Sequence, residues 1–367
     1  MKKQILKNEF LNIYHYEPNQ YIRCGGRFEV LGNHTDHNHG KCIAATCGIS
    51  IYSSVSKRND NIVRVFSKGY GEFKIDLNEL DIKEEELGKT PGLIRGVAFY
   101  LNKHQYRIGG FDIYMESEIF PGAGVSSSAA FELLVGQVFN KLFNNNEIER
   151  LVLAKAGQYA ENNYYGKKSG LLDQIGVAYG GMVYIDFFDI ANPKVEPLKV
   201  DVKGYEFILV NTGGDHTTMS HLYSQIPVDM YNVAKKMNHQ FLIEGSLEEL
   251  EQIKDKLDER EYFRAKHFYT ENQRVELAKE AIINKDTKTL IKLINESRYS
   301  SANYLKNMMV DNNYTNSPLE ACELVDKLTN NLGAAKINGG GFAGSIVTLI
   351  PLSKKENFLK VMKEKYF

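Results

Sequence analysis

The chain carries almost no net charge. Its 45 Lys and Arg against 46 Asp and Glu leave −1 at pH 7, and no dense basic run with interleaved aromatics stands out from that balance. Nucleic acid is therefore not an expected partner. Cysteine is scarce: Cys24, Cys42, Cys47 and Cys322 show no C-x-x-C spacing. Reduced core positions are expected, not disulfides or a zinc cluster. The opening Met-Lys-Lys-Gln-Ile-Leu-Lys-Asn-Glu lacks an apolar stretch of signal-peptide length, and no membrane-spanning run follows. The expectation is a soluble cytoplasmic protein with no membrane partner. Internal repeats and low-complexity tracts are missing. So is the Walker A pattern G-x-x-x-x-G-K-[ST], which argues against the common P-loop fold.

What is present suffices for a substantial core, expected in two domains over 1–195 and 196–367. β-Branched and aromatic runs at 21–31, 49–56, 62–67 and 111–116 predict strands, interrupted by a helix over 93–101. Leu134, Val138, Phe139 and Leu142 recur at helical spacing, and a second buried helix face runs over 147–161. Strands are predicted at 182–188 and 205–211, then a long helical stretch from 227 to about 303, rich in Glu and Lys and mostly a solvated face. Two further strands, 334–337 and 345–350, flank a glycine turn. Strands mixed with helices, without strict βαβ alternation, indicate an α+β fold.

The most informative segment is Pro121-Gly-Ala-Gly-Val-Ser-Ser-Ser-Ala-Ala130. Gly122 and Gly124 permit a sharp turn and a close approach to a bulky anion. Ser126, Ser127 and Ser128 are good N-cap residues at the head of the apolar helix. The first amides of such a helix lack internal acceptors, and its dipole makes that end electropositive, which suits a phosphate. The ordinary alternative is a serine-capped helix after a Pro-Gly turn. Three consecutive hydroxyls after Pro-Gly-x-Gly favour a nucleotide site.

A second polar cluster is Gly25-Gly-Arg-Phe-Glu-Val-Leu-Gly-Asn-His-Thr-Asp-His-Asn-His-Gly40, a strand running into a loop. Self-bonded Asn and Asp turns explain one or two such residues, not eight in succession. Loops on a rigid sheet often carry function. His34, His37 and His39 beside Asp36 equally suit a metal-dependent hydrolase. In Gly170-Leu-Leu-Asp-Gln-Ile-Gly-Val-Ala-Tyr-Gly-Gly181 a single Asp173 sits among apolar residues. It is either a capped turn or a partly buried carboxylate with a task. Gly339, Gly341 and Gly344 satisfy G-x-G-x-x-G, but a strand follows where a dinucleotide fold needs a helix.

The serine segment resembles the phosphate loop of the GHMP kinases, the group of galactokinase, homoserine kinase and mevalonate kinase. The polar loop resembles the galactokinase signature Gly-Arg-Val-Asn-Leu-Ile-Gly-Glu-His-Thr-Asp-Tyr-Asn-x-Gly, matched at Arg27, Gly32, His34, Thr35, Asp36, Asn38 and Gly40. Gly170-Leu-Leu-Asp-Gln174 resembles Gly-Ile-Met-Asp-Gln of that family, and Asn338-Gly-Gly-Gly-Phe-Ala-Gly-Ser345 resembles its third motif with mild departures at Ala343 and Ser345. The resemblance extends over nearly the whole chain, including Asn211-Thr-Gly-Gly-Asp-His216. It implies a two-domain GHMP-kinase-like α+β fold, with a mixed-sheet N-terminal domain and a helix-rich C-terminal domain. It implies ATP as co-substrate and Mg²⁺ as cofactor, a small sugar as partner, and a monomer or weak dimer. Asp173 would be the catalytic base and Arg27 its partner beside the transferred phosphoryl group. Asn33, His34, Asp36, Gly170 and Tyr223 would contact the sugar. Gly122, Gly124, Ser126, Ser127 and Ser128 would hold ATP, with Ser128 and Glu161 on the metal. Asn33 departs from the family glutamate that faces the sugar C6 hydroxyl, and His37 replaces a tyrosine. The expected reaction is phosphorylation of galactose at its anomeric hydroxyl. The runner-up is galacturonate, or another C6-modified hexose, because a glutamate there would repel a carboxylate and an asparagine does not.

Overall fold

The computed structural model describes residues 2–119, 124–213, 220–310, 313–342 and 344–366, without the side chains of 220, 221 and 223. The chain divides into two compact units. Met1–Arg27, Thr46–Pro121 and Ser126–Gly180 make one; Phe28–Ala45, Gly122–Val125 and Gly181–Phe367 make the other.

The first unit begins with α1 (Lys2–Tyr14), which the sequence pattern did not signal. Only Leu6 and Phe10 of α1 are buried, both against Tyr114, so its apolar stripe is too thin to read as a period. Strands β1 (Gln20–Leu31), β2 (Lys41–Lys57), β3 (Ile62–Ser67) and β4 (Gly71–Asp76) follow, then α2 (Thr90–Lys103) and β5 (Phe111–Ser117). Ile51–Lys57 of β2 pair antiparallel with β5, β5 runs parallel to β3, and β3 is antiparallel to β4. That is the expected mixed sheet. Helices α3 (Ser127–Phe143), α4 (Arg150–Ala160) and α5 (Leu172–Tyr179) complete the unit. The middle of α3 is buried on nearly every side, from Ala129 to Gly136. A helix so enclosed holds its first turn rigidly.

β2 starts at Lys41, earlier than the predicted 49, because Cys42, Ile43, Ala44 and Ala45 are all buried despite the weak strand preference of alanine. In the second unit those residues pair with β6 (Met182–Asp186), which pairs with β7 (Lys194–Leu198). β8 (Tyr205–Gly213), β9 (Ala334–Ile337) and β10 (Gly344–Pro351) form a separate antiparallel sheet in the order β8-β10-β9. Among the described residues six helices belong to this unit: α6 (Ser220–Lys236), α7 (Leu247–Gln252), α8 (Glu259–Ile283), α9 (Thr287–Ser300), α10 (Pro318–Thr329) and α11 (Lys355–Tyr366). α8 begins with a capping box between Asp258 and Glu261. The expectation of a mostly solvated face is corrected at α8, where His267 and Glu271 are fully buried. Their polar groups serve the loop after β1, described below. Among the described residues no helix is long and apolar enough to cross a membrane.

Candidate active site

In the first unit the N-cap of α3, Ser126, sits in the left-handed region at φ 57 and does not cap its own helix. Its hydroxyl donates instead to Asp173 Oδ2. A non-glycine residue held at positive φ is costly and persists where surrounding contacts enforce it. The first intrahelical bond of α3 is Ala130 N to Ser126 O, so the amides before Ala130 open outward at the positive end of the dipole. Ser127 is exposed there.

Asp173 lies in the first turn of α5, where Arg27 Nε donates to its Oδ1 at 2.6 Å. The Arg27 side chain is 8% exposed and that of Asp173 29%. Burial pushes the Asp173 carboxyl up, but the Arg27 charge, its hydrogen bond and the Ser126 hydroxyl outweigh burial and set it below its usual value. Asp173 is therefore an ionised acceptor, fixed on both oxygens. Gly170 sits three residues earlier, partly exposed, in the turn that enters α5.

In α3, two residues past its N-cap, Ser128 Oγ donates to Glu161 Oε1 at 2.8 Å. Gln174, next to Asp173, uses its amide nitrogen twice, on Glu161 Oε2 and on Glu132 Oε2, both at 3.0 Å. Burial first, then the charge of Glu161, holds the Glu132 carboxyl well above its usual range. Lys167 Nζ also reaches Glu161 Oε1, at 2.9 Å. A serine hydroxyl and a buried carboxylate converging on one point are hard oxygen donors of the kind Mg²⁺ takes. Neither Glu132 nor Lys167 was anticipated from the sequence.

In the second unit the polar loop begins at Gly32, where a φ of 102 and a Cβ that would stand 2.6 Å from Lys41 O exclude a side chain. Glu271 Oε1 accepts the Gly32 and Asn33 amides at 2.9 and 3.4 Å, together with the Ser297 hydroxyl. Glu271 is pulled to about 2: burial opposes this, but Arg274, His267 and Lys336 prevail. His267 Nε2 donates to Asn33 O at 2.8 Å, so its Nδ1 accepts from Ser300 Oγ. Asn33 is 1% exposed. Its amide nitrogen donates to Gly339 O at 2.6 Å and its oxygen accepts from Asn307 at 2.9 Å. The side chain expected to face a ligand is thus engaged by the glycine turn.

His34 donates from Nε2 to Gly340 O at 2.9 Å. Its Nδ1 is buried and has no partner among the described residues. Burial first, then His37, lowers this imidazole to about 3, so Nδ1 is a neutral, inward acceptor. Asp36 is partly exposed, 3.5 Å from His37 Nε2. The His34/His37/His39 metal reading is corrected here: His34 Nε2 is bound to a carbonyl, and the His39 ring stacks on Phe241 at 3.8 Å. Among the described residues no group of three or more His, Cys, Asp or Glu could hold a metal ion.

Asn338 binds three places in this unit, accepting from Glu29 N and donating to Gly124 O and Ser345 Oγ. The buried pair Glu29–Lys336, at 2.7 Å, lies beside it. Gly341 needs its hydrogen, since a Cβ would meet Asn307 O at 2.5 Å. After the glycines comes β10, a strand, which rules out the dinucleotide reading. Gly122 and the Tyr223 side chain lie outside the described residues.

Two family models match the chain: the GHMP kinases N-terminal domain over residues 92–181, and the galactokinase galactose-binding signature over 8–57. The first spans the serine loop and Asp173, the second Arg27 and the polar loop. A galactokinase of Lactobacillus helveticus is 32% identical, covering 96% of this chain and 92% of its own. One from Clostridium tetani is 30% identical, with 98% and 91% covered. Among solved structures, Lactococcus lactis galactokinase complexed with galactose superposes with a TM-score of 0.85 at 26% identity, over 100% of this chain and 94% of that one. Identity at this level over nearly the full length of the relatives places the chain in the galactokinase family of the GHMP kinases.

Proposed function

We propose that the chain transfers the γ-phosphoryl group of ATP to the anomeric hydroxyl of galactose, with Asp173 as the base. The observation that carries this reading is the Asp173 carboxylate, held by Arg27 and Ser126 at the head of the helix that also offers Ser128 to Glu161. Phosphoryl transfer asks for alignment and charge neutralisation, with little covalent help from protein. The C1 oxygen attacks the γ-phosphorus, the bond from that phosphorus to the bridging oxygen breaks, and ADP departs. The proton of the C1 hydroxyl passes to Asp173. A loose transition state builds little charge on the attacking oxygen, so a carboxylate with a depressed pKa is base enough. Arg27 keeps Asp173 oriented and places a fixed positive charge beside the transferred group. The open amides at the start of α3 bind phosphate oxygens. Ser128 and Glu161 would hold Mg²⁺, which supplies charge neutralisation on the phosphates.

The unpartnered Nδ1 of His34 is suited to accept a sugar hydroxyl, with Asp36 a second acceptor nearby in sequence. Galactose is favoured over galacturonate because the Asn33 carboxamide is engaged by Gly339 and Asn307. That removes the argument for a C6 carboxylate. The test is ADP release with galactose and galacturonate side by side, and ³¹P NMR of the product. Galactose 1-phosphate as the main product is expected; faster turnover of galacturonate would overturn the substrate assignment.

A further inference from the structure

We infer that Lys167 is a phosphate-binding cation that rests on Glu161 in the empty enzyme and passes to the nucleotide when the divalent ion binds. The inference rests on the reading of Ser128 and Glu161 as the metal pair. Glu161 Oε1 accepts from Ser128 Oγ at 2.8 Å and from Lys167 Nζ at 2.9 Å. An ammonium thus lies against the carboxylate oxygen that the serine hydroxyl also marks. The backbone explains how it reaches that place. α4 runs into a π-helical turn, Glu161–Tyr165, followed by Gly166 at φ 86. The amides of Gly166 and Lys167 both close on the Glu161 carbonyl, the latter at 3.0 Å. Single π turns of this kind occur often at functional sites. This one folds Lys167 back over the residue six positions earlier.

A divalent ion held by Ser128 and Glu161 would repel an ammonium resting on the same carboxylate. One must leave, and Lys167 is the mobile one. Its side chain is 52% exposed while that of Glu161 is 2% exposed, so the lysine departs without opening the core. Gln174 keeps the carboxylate in place through Oε2 as it does so. The charge of Lys167 is also felt at Asp173, where it helps hold the carboxyl down. Phosphate oxygens at the start of α3 are the anions brought in with the ion. A lysine on a flexible stem is a common point-charge partner for them.

The experiment uses the full-length protein and its Lys167→Met, Lys167→Arg and Glu161→Gln variants. Mn²⁺ binding without nucleotide is followed by electron paramagnetic resonance, and ATP binding at saturating Mg²⁺, with no sugar present, by calorimetry. With its competitor gone, Lys167→Met should bind Mn²⁺ about 5-fold tighter or more, and ATP at saturating Mg²⁺ on the order of tenfold weaker. Lys167→Arg should keep ATP affinity at saturating Mg²⁺ within about 3-fold of the parent. A lysine that only latches the turn would leave both affinities unchanged, or weaken both together. Either result overturns the inference, as does a change in only one of the two. Loss of Mn²⁺ binding in Glu161→Gln, with Lys167→Met unaltered, sinks the Lys167 role alone. Mn²⁺ binding that survives Glu161→Gln sinks the metal pair as well.

Discussion

Replacing Asp173 by Asn keeps the size of the side chain and removes its charge. The consequences separate into three measurable parts. The first is chemistry: a positioned base contributes about 10²–10⁴-fold, or roughly 3–5 kcal/mol of barrier, so kcat should fall by that factor. The second is stability. Arg27, 8% exposed, loses its counter-charge, and Ser126 loses its acceptor. Breaking a fully buried pair costs about 3–5 kcal/mol. With Asp173 29% exposed, water recovers part of that, leaving about 1–3 kcal/mol. The third is pH dependence. The folded carboxyl lies below its unfolded value of 3.8, so its stabilising share is complete above that value and is lost as pH falls through the folded one. Between pH 5 and 9 the difference in unfolding free energy between parent and variant should therefore stay flat, and shrink only near pH 3. The assays are kcat and kcat/KM for galactose from pH 5 to 9, and urea unfolding at pH 7, 5 and 3. Two results would refute the reasoning. One is a variant with kcat near that of the parent. The other is an acid limb in the parent kcat with a midpoint above pH 6 that vanishes in the variant, since the base would then have a raised pKa.

Three further expectations follow from the second unit. His34 and His267 are lowered to about 3 and about 4 from 6.5, so each contributes stability that is present above pH 6.5 and lost as pH falls below it, at about 1.4 kcal/mol per pH unit. Glu132, raised in the folded state, acts in the opposite direction. The quantity to measure is thus the difference between parent and His267→Gln, whose unfolding free energy should depend less steeply on pH between 6 and 4.5; an unaltered slope counts against a buried neutral His267. Asn33→Glu would set a carboxylate against Gly339 O in a 1% exposed position, costing about 2–5 kcal/mol. It should lower the unfolding midpoint and leave the galactose-to-galacturonate kcat/KM ratio alone, whereas a shifted ratio in a stable variant would place residue 33 at the sugar. Gly341→Ala, with φ +93 and a Cβ 2.5 Å from Asn307 O, should lose about 1–3 kcal/mol in urea unfolding, and a loss below about 0.5 kcal/mol would contradict the close approach.

The parts of the site that were legible in the sequence are those whose chemistry is written into a few consecutive residues. A Gly-rich turn entering three serines fixes backbone and hydroxyls together, so the head of α3 follows from local spacing. A strand running into Gly32 fixes the start of the polar loop in the same way, because only glycine fits at φ 102 against Lys41. Elsewhere the informative contact lies far along the chain. Asn33 reads as a ligand-facing amide until Asn307 and Gly339, 274 and 306 residues later, take both ends of it. His267 and Glu271 read as a solvated helix face until they are seen satisfying the amides and carbonyl of residues 32 and 33. Lys167 is the sharpest case, because it is near in sequence and still hidden. Six residues from Glu161 is a spacing that no α-helix brings to one face, and only a π turn, which composition does not announce, closes it. Buried polar groups must find partners wherever the fold places them. A polar residue in a motif therefore fixes its chemical type from the sequence, while its task depends on which distant donor or acceptor reaches it first.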